Sequence, residues 1–165
     1  MQTDNLLFRQ ASRSDVATIV KMLADDSLGA KREIYTIPPP ECYYRAFDAI
    51  AQDPNNELVV AEADGIVIGV LQMTFMPGMT YQGGWRAVIE GVRIAANVRS
   101  QGIGRHLFRW AIERARQRGC YMLQLTSDKS RPAAIRFYEG LGFVASHEGM
   151  KLHLTPIEGE SKNDA

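Results

Sequence analysis

The chain has 165 residues, 45% of them hydrophobic and 23% charged, so a single domain able to bury one sizeable core is expected. These proportions exclude collagen-like, disordered and disulfide-scaffold classes. Nineteen basic and nineteen acidic residues cancel, which argues against a nucleic-acid partner held by phosphate neutralisation.

Cys42 and Cys120 stand far apart, with no CxxC or Cys/His cluster, and only three histidines are present, so no metal site is expected. Both cysteines read as buried free thiols. No apolar run approaches the ~18 residues of a membrane span, and Met1–Asp4 does not open a signal peptide. A cytoplasmic protein with no membrane partner is expected.

In chain order, residues 5–11 read as a short first strand. Ser12 or Ser14 can cap a helix reaching about Ser27, because Val16, Ile19, Val20 and Leu23 recur at helical spacing. Residues 28–40, with three consecutive prolines, form a loop, and a second helix follows over 41–52, stopping before Asp53-Pro54. Segments 58–63 and 66–75 flank Asp64-Gly65, a hairpin turn signal. A glycine-rich loop (76–84) leads to a long central strand, 85–95, and then to a helix over 103–118 ended by Gly119. In that helix Ile103, Leu107, Trp110, Ala111 and Ala115 make one apolar face. A strand over 121–126, a helix around Pro132–Leu141 stopped by Gly142, and a final strand about Phe143–Leu154 complete the order. The crossover 85–126 should be right-handed and parallel. The expected architecture is a three-layer α/β (α+β) domain over 1–155, with a mixed, mostly antiparallel sheet, helices on both faces and a polar tail over 156–165.

The chemistry concentrates in Arg99-Ser100-Gln101-Gly102-Ile103-Gly104-Arg105, placed after a strand and opening a helix. Such a turn points backbone N–H groups and the positive end of a helix outward, where they attract phosphate. Gly102 and Gly104 allow close approach of a ligand, and Arg99 and Arg105 add charge. A dinucleotide fingerprint fits poorly because Leu107 stands where a third glycine belongs, and a P-loop fits poorly because Arg105-His106 follows Gly104.

The chain resembles the GCN5-related N-acetyltransferase (GNAT) family. Arg99, Gly102 and Gly104 match the family signature Arg/Gln-x-x-Gly-x-Gly/Ala, and Ala134, Phe137, Tyr138, Gly142 and Phe143 match a second segment near the C-terminus. The resemblance covers about residues 5–154 and implies acetyl-CoA as co-substrate, with a small-molecule or peptide primary amine as acceptor. It further implies that Val92, Arg93 and Ile94 offer backbone groups to the pantetheine arm. The turn from Arg99 through Ser100, Gln101, Gly102, Ile103 and Gly104 to Arg105 would cradle the pyrophosphate. Tyr138 would protonate the departing thiolate, Ala134 would line the cofactor, and a homodimer is common in the family.

One departure is Arg131 where the family often has Asn; it contacts a CoA phosphate or merely starts the helix. Glu90 aligns with a glutamate that some members use as general base. Period-2 alternation groups it with Val92 and Ile94, a carboxylate in largely apolar company that reads as functional. The alternative is a Glu paired with Arg86 or Arg93, and His147 and Glu148 are further candidates. The acceptor would lie between loops 28–44 and 76–86, which carry Tyr35, Tyr43, Tyr44, Met76, Met79, Tyr81 and Trp85. Direct attack in a ternary complex fits the lack of a recognisable nucleophile arrangement. A non-catalytic acyl-CoA-binding sensor or interaction module is the competing reading.

Overall fold

The computed structural model describes residues 5–25 and 29–154. Alternating and continuous apolar runs become the five strands of one sheet in the order β1-β2-β3-β4-β5: β1 (Leu6–Gln10), β2 (Asn56–Ala63), β3 (Ile66–Pro77), β4 (Trp85–Ile94) and β5 (Cys120–Leu125). The first four pair antiparallel, and β5 lies parallel to β4. Asp64-Gly65 turns the β2–β3 hairpin with both residues at positive φ.

Helices α1 (Val16–Ala24) and α2 (Glu41–Gln52) precede β2; α4 (Ile103–Gln117) and α5 (Pro132–Glu139) bracket β5. Between β3 and β4 a single turn, α3 (Thr80–Gly83), carries Tyr81 and Gln82 in left-handed conformation. The larger core lies between the sheet and α4, where Leu107, Phe108, Ala111 and Ala115 meet Leu71, Met73, Phe75, Ala87 and Ile89. On the opposite face α1 lays Ile19 and Met22 on Val60 and Val70. This is the expected open mixed sheet with helices on both faces.

Ion pairs fix two elements on the sheet. Arg9 of β1 grips Asp15 at 2.7 Å just before α1, and Ser12 donates its N–H and its hydroxyl to the same carboxylate. The Arg9 guanidinium holds the Asp15 carboxyl down at about 2. Farther along, the buried Glu57 carboxylate accepts a forked pair of bonds from Arg114, which ties the end of α4 to the start of β2.

Two expectations fail here. Residues 143–154 form no strand, although Met150, Leu152 and Leu154 alternate; all three are exposed, so no buried face fixes a register there. Cys42 is exposed in the first turn of α2, whereas Cys120 is half-buried, and both are free. The proposed end of the first helix at Ser27 and the tail 156–165 lie outside the described residues. Among the described residues no helix is long and apolar enough to cross a membrane.

Candidate functional site

The strand β4 changes character part-way along. Up to Ile89 it has β3 on one side and β5 on the other; from Glu90 to Ile94 only β3 continues the pairing. Gly91 sits at φ +62°, and the β3–β4 register shifts between Val70 and Gln72. Such a bulge bends the strand and turns it away from a neighbour. The edge of β4 beyond Ile89 is therefore open to another extended chain.

The same bulge overturns one alternation reading. Ala87 and Ile89 face α4, and after the extra residue Val92 and Ile94 face α4 as well. Glu90 shares the opposite face with Arg86 and Val88, not with Val92 and Ile94. It is exposed, and no described residue hydrogen-bonds or ion-pairs with it, so neither the apolar surroundings nor the pairing with Arg86 or Arg93 is found. Arg93 is buried, and its guanidinium donates to the Val92 carbonyl at 2.8 Å.

From the end of β4 the chain enters the turn before α4. Ser100 (φ +64°) and Gly102 (φ +84°) both adopt the left-handed conformation. Alternating handedness swings successive N–H groups toward one side, and the first N–H groups of α4 have no intrahelical acceptor. Only Gly102 relieves its strain by lacking a Cβ; Ser100 carries it. Gly104 has room for a methyl: a Cβ there would lie 3.6 Å from the Phe137 ring and 3.8 Å from Ile94, ordinary contact distances. Ile103 is buried in the core beneath the turn, while the Gln101 side chain reaches back to the Asn97 carbonyl.

The two arginines beside the turn are held differently. Arg99 donates to the Ile94 carbonyl and to both the carbonyl and the carboxylate of Asp25, each at 3.0 Å. It is a clasp joining β4, the turn and the end of α1, because a forked guanidinium satisfies several acceptors at once. Arg105 extends toward the end of α5, its Nη2 3.9 Å from where a Gly140 Cβ would stand. Positive potential at the turn thus comes from backbone dipoles together with the exposed Arg105.

Tyr138 projects from α5 into the aromatic cluster under the open edge, its ring centroid 5.3 Å from that of Phe108 and 6.1 Å from that of Phe143. Burial pushes its hydroxyl above the usual tyrosine range, and the nearby Arg131 and Arg93 cations partly oppose that. No described residue hydrogen-bonds the Tyr138 hydroxyl, so it is not tied to the backbone. Arg131 caps α5, its carbonyl accepting from Ala134 at 3.0 Å and Ile135 at 3.2 Å, and its side chain is exposed. His147 bonds only Ser146 and Glu148 pairs with Lys129; both are exposed.

The loops expected to hold an acceptor start from different ends of the sheet. The connection after α1 begins beside the turn, through Asp25 and Arg99. Tyr43 is used internally, accepting from the Ile34 N–H and donating to Glu33. The tip of the β3–β4 hairpin, where Tyr81 stacks on Tyr121, stands at the opposite end of β4. That end is about 30 Å from Ile94 at ~3.3 Å per residue. The sheet itself also offers a polar face. Cross-strand rows Asn56–Thr74–Val88–Gln124 and Leu58–Gln72–Glu90 place amides and a hydroxyl around the Glu90 carboxylate. The signal was four polar residues sharing one face, Gln72 and Thr74 in β3, Glu90 in β4 and Gln124 in β5, legible only once the register is known.

A sequence model of the Acetyltransferase (GNAT) family matches residues 23–143. The chain belongs to the GNAT acetyltransferase family. Its GNAT relatives include an aminoalkylphosphonate N-acetyltransferase from Salmonella typhimurium, 31% identical over 65% of this chain and 69% of the relative. A solved protein from Bacillus halodurans C-125, described as a transcriptional regulator, is 56% identical, with a TM-score of 0.88 over 90% of this chain and 99% of the other. Another, from Agrobacterium tumefaciens strain C58, is 26% identical with a TM-score of 0.77 over 89% and 99% of the two chains. The GNAT chain described here is an acyltransferase with N-acetyltransferase homologues.

Proposed function

We propose that this GNAT protein moves the acetyl group of acetyl-CoA to a primary amine by direct attack within a ternary complex. One observation carries the reading: the open edge of β4, the left-handed turn before α4 and the unbonded Tyr138 hydroxyl meet at one end of the sheet. The extended pantetheine arm pairs with the backbone of Val92, Arg93 and Ile94. The pyrophosphate rests on the N–H groups from Ser100 to Arg105, with Arg99 holding the turn in shape. Ala134 and the Arg131 end of α5 border the same cofactor.

Glu90 takes the proton of the acceptor ammonium, directly or through water. The free amine attacks the thioester carbonyl, a C–N bond forms and the C–S bond breaks. Tyr138 donates its proton to the departing thiolate and recovers one from the nitrogen or from water. One acetyl-CoA and one ammonium thus yield one acetamide, one CoA thiol and one proton. Transfer from a phenol with a raised pKa to a thiolate of pKa ~8.5 is uphill, so the cations of Arg93 and Arg131 favour it by stabilising the tyrosinate. A cytoplasmic location, a homodimer, and one domain over residues 1–155 belong to the same proposal.

Release of CoA thiol, followed with a panel of primary amines, tests the reading. Amine-dependent release is expected, with Glu90→Gln cutting kcat steeply while acetyl-CoA affinity stays nearly intact. An unchanged kcat across pH in that variant removes Glu90 as base. The regulator description of the Bacillus halodurans structure favours a second reading, a non-catalytic acyl-CoA-binding sensor or interaction module. Binding of acetyl-CoA without turnover on any amine decides for that module.

A further inference from the structure

Arg86 and Glu90 stand on one face of β4, two side-chain positions apart; both are exposed, and neither has a hydrogen bond or ion pair among the described residues. Four residues of strand separate their Cα atoms by ~13 Å, too far for the two to satisfy each other. A lone exposed charge is ordinary. What distinguishes this pair is the floor between them. The row Thr74–Val88–Gln124 crosses the middle, Gln72 flanks Glu90, and Met76 and Met122 flank Arg86. The helix α1 covers Val60 and Val70 of this face, away from that floor. Pairing of β4 with β5 ends at Ile89, so the Glu90 end of the floor adjoins the open edge and the Arg86 end points away from it.

We infer that the acceptor is a small amine carrying an anionic group: its ammonium meets Glu90 and its carboxylate, phosphonate or phosphate meets Arg86. The inference rests on the acetyl-transfer reading above and adds the acceptor class. Turned toward a ligand between them, the two side-chain stems span part of the ~13 Å, which leaves the charged ends of the ligand roughly three to five bonds apart at ~1.5 Å per bond. Over that span the ligand body lies on Val88, with the Gln124 amide on one side and on the other the Thr74 hydroxyl, which donates to Asn56 at 2.7 Å and so is left to accept from the ligand. Arg86 is the specificity-determining residue, because a guanidinium offers a forked pair of donors to a planar or tetrahedral anion.

Thiol-release kinetics with matched pairs test this. 4-Aminobutanoate is compared with its uncharged amide 4-aminobutanamide and with 1,4-diaminobutane, on the full chain, Arg86→Gln and Arg86→Glu. The native chain should prefer the acid over the amide by about tenfold or more in kcat/KM, through KM. Arg86→Gln should erase the preference, and Arg86→Glu should turn it toward the diamine, a reversal that a merely structural role of Arg86 does not produce. Equal use of acid and amide by the native chain, or a preference that survives Arg86→Gln, overturns the anion site and leaves acetyl transfer standing. Absence of thiol release with these three amines and with the whole panel of primary amines overturns the transfer reading itself.

Discussion

Tyr138 combines a ring locked among Phe108, Phe137 and Phe143 with a hydroxyl that no described group engages. The residue is half-buried and its hydroxyl is not sealed in the core, so it is open to a ligand from the rim of the cluster. Its raised pKa keeps the proton in place through neutral and mildly alkaline solution. Tyr138→Phe, which keeps the ring, should lower kcat by ~100-fold or more with little change in fold stability. The native enzyme's kcat should hold on its alkaline side until beyond the ordinary tyrosine value of ~10. Full activity in the Phe variant would make Tyr138 a core residue. At this scale the sequence motif exposed Tyr138, Gly102 and Gly104 directly. The fate of Arg99 was not legible, because its partner Asp25 is 74 positions away and nothing local marks the pair.

Among the elements, the hairpin at Asp64-Gly65 and the limits of α2 and α4 agree with turn chemistry and apolar spacing read from the chain. The bulge in β4 does not announce itself in that way. Within an alternating segment Gly91 looks like any strand glycine, and one inserted residue reverses every later side chain. The segment 143–154 shows the converse: alternation is present, but the strand is not. Periodicity reports what a segment could bury and leaves open whether a neighbour is there to bury it. Because Gly91 holds φ +62° with open space around a would-be Cβ, Gly91→Ala should act through backbone strain alone. A loss of ~1–2 kcal/mol in chemical denaturation is expected, together with weaker acetyl-CoA binding as β4 straightens. Unchanged stability and affinity would show that the open edge does not depend on the bulge.

Over the whole molecule, the sheet carries its large hydrophobic core against α4, and the proposed reactive features lie at the end where β4 and β5 part. The turn, the open edge and Tyr138 come from residues 90–104 and 131–143, so the proposed cofactor site depends on one crossover and the helix that follows it. The polar floor toward Arg86 uses β3, β4 and β5 together and exists only in the folded register. The most direct test of this arrangement is thermal unfolding of the native chain and of Gly102→Glu with and without acetyl-CoA, with ATP and NAD as controls. At ~100 times Kd the native chain should gain about 2.7 kcal/mol from acetyl-CoA alone, and Gly102→Glu should lose that gain. No stabilisation, or an equal one from ATP, would contradict an acetyl-CoA site at this turn.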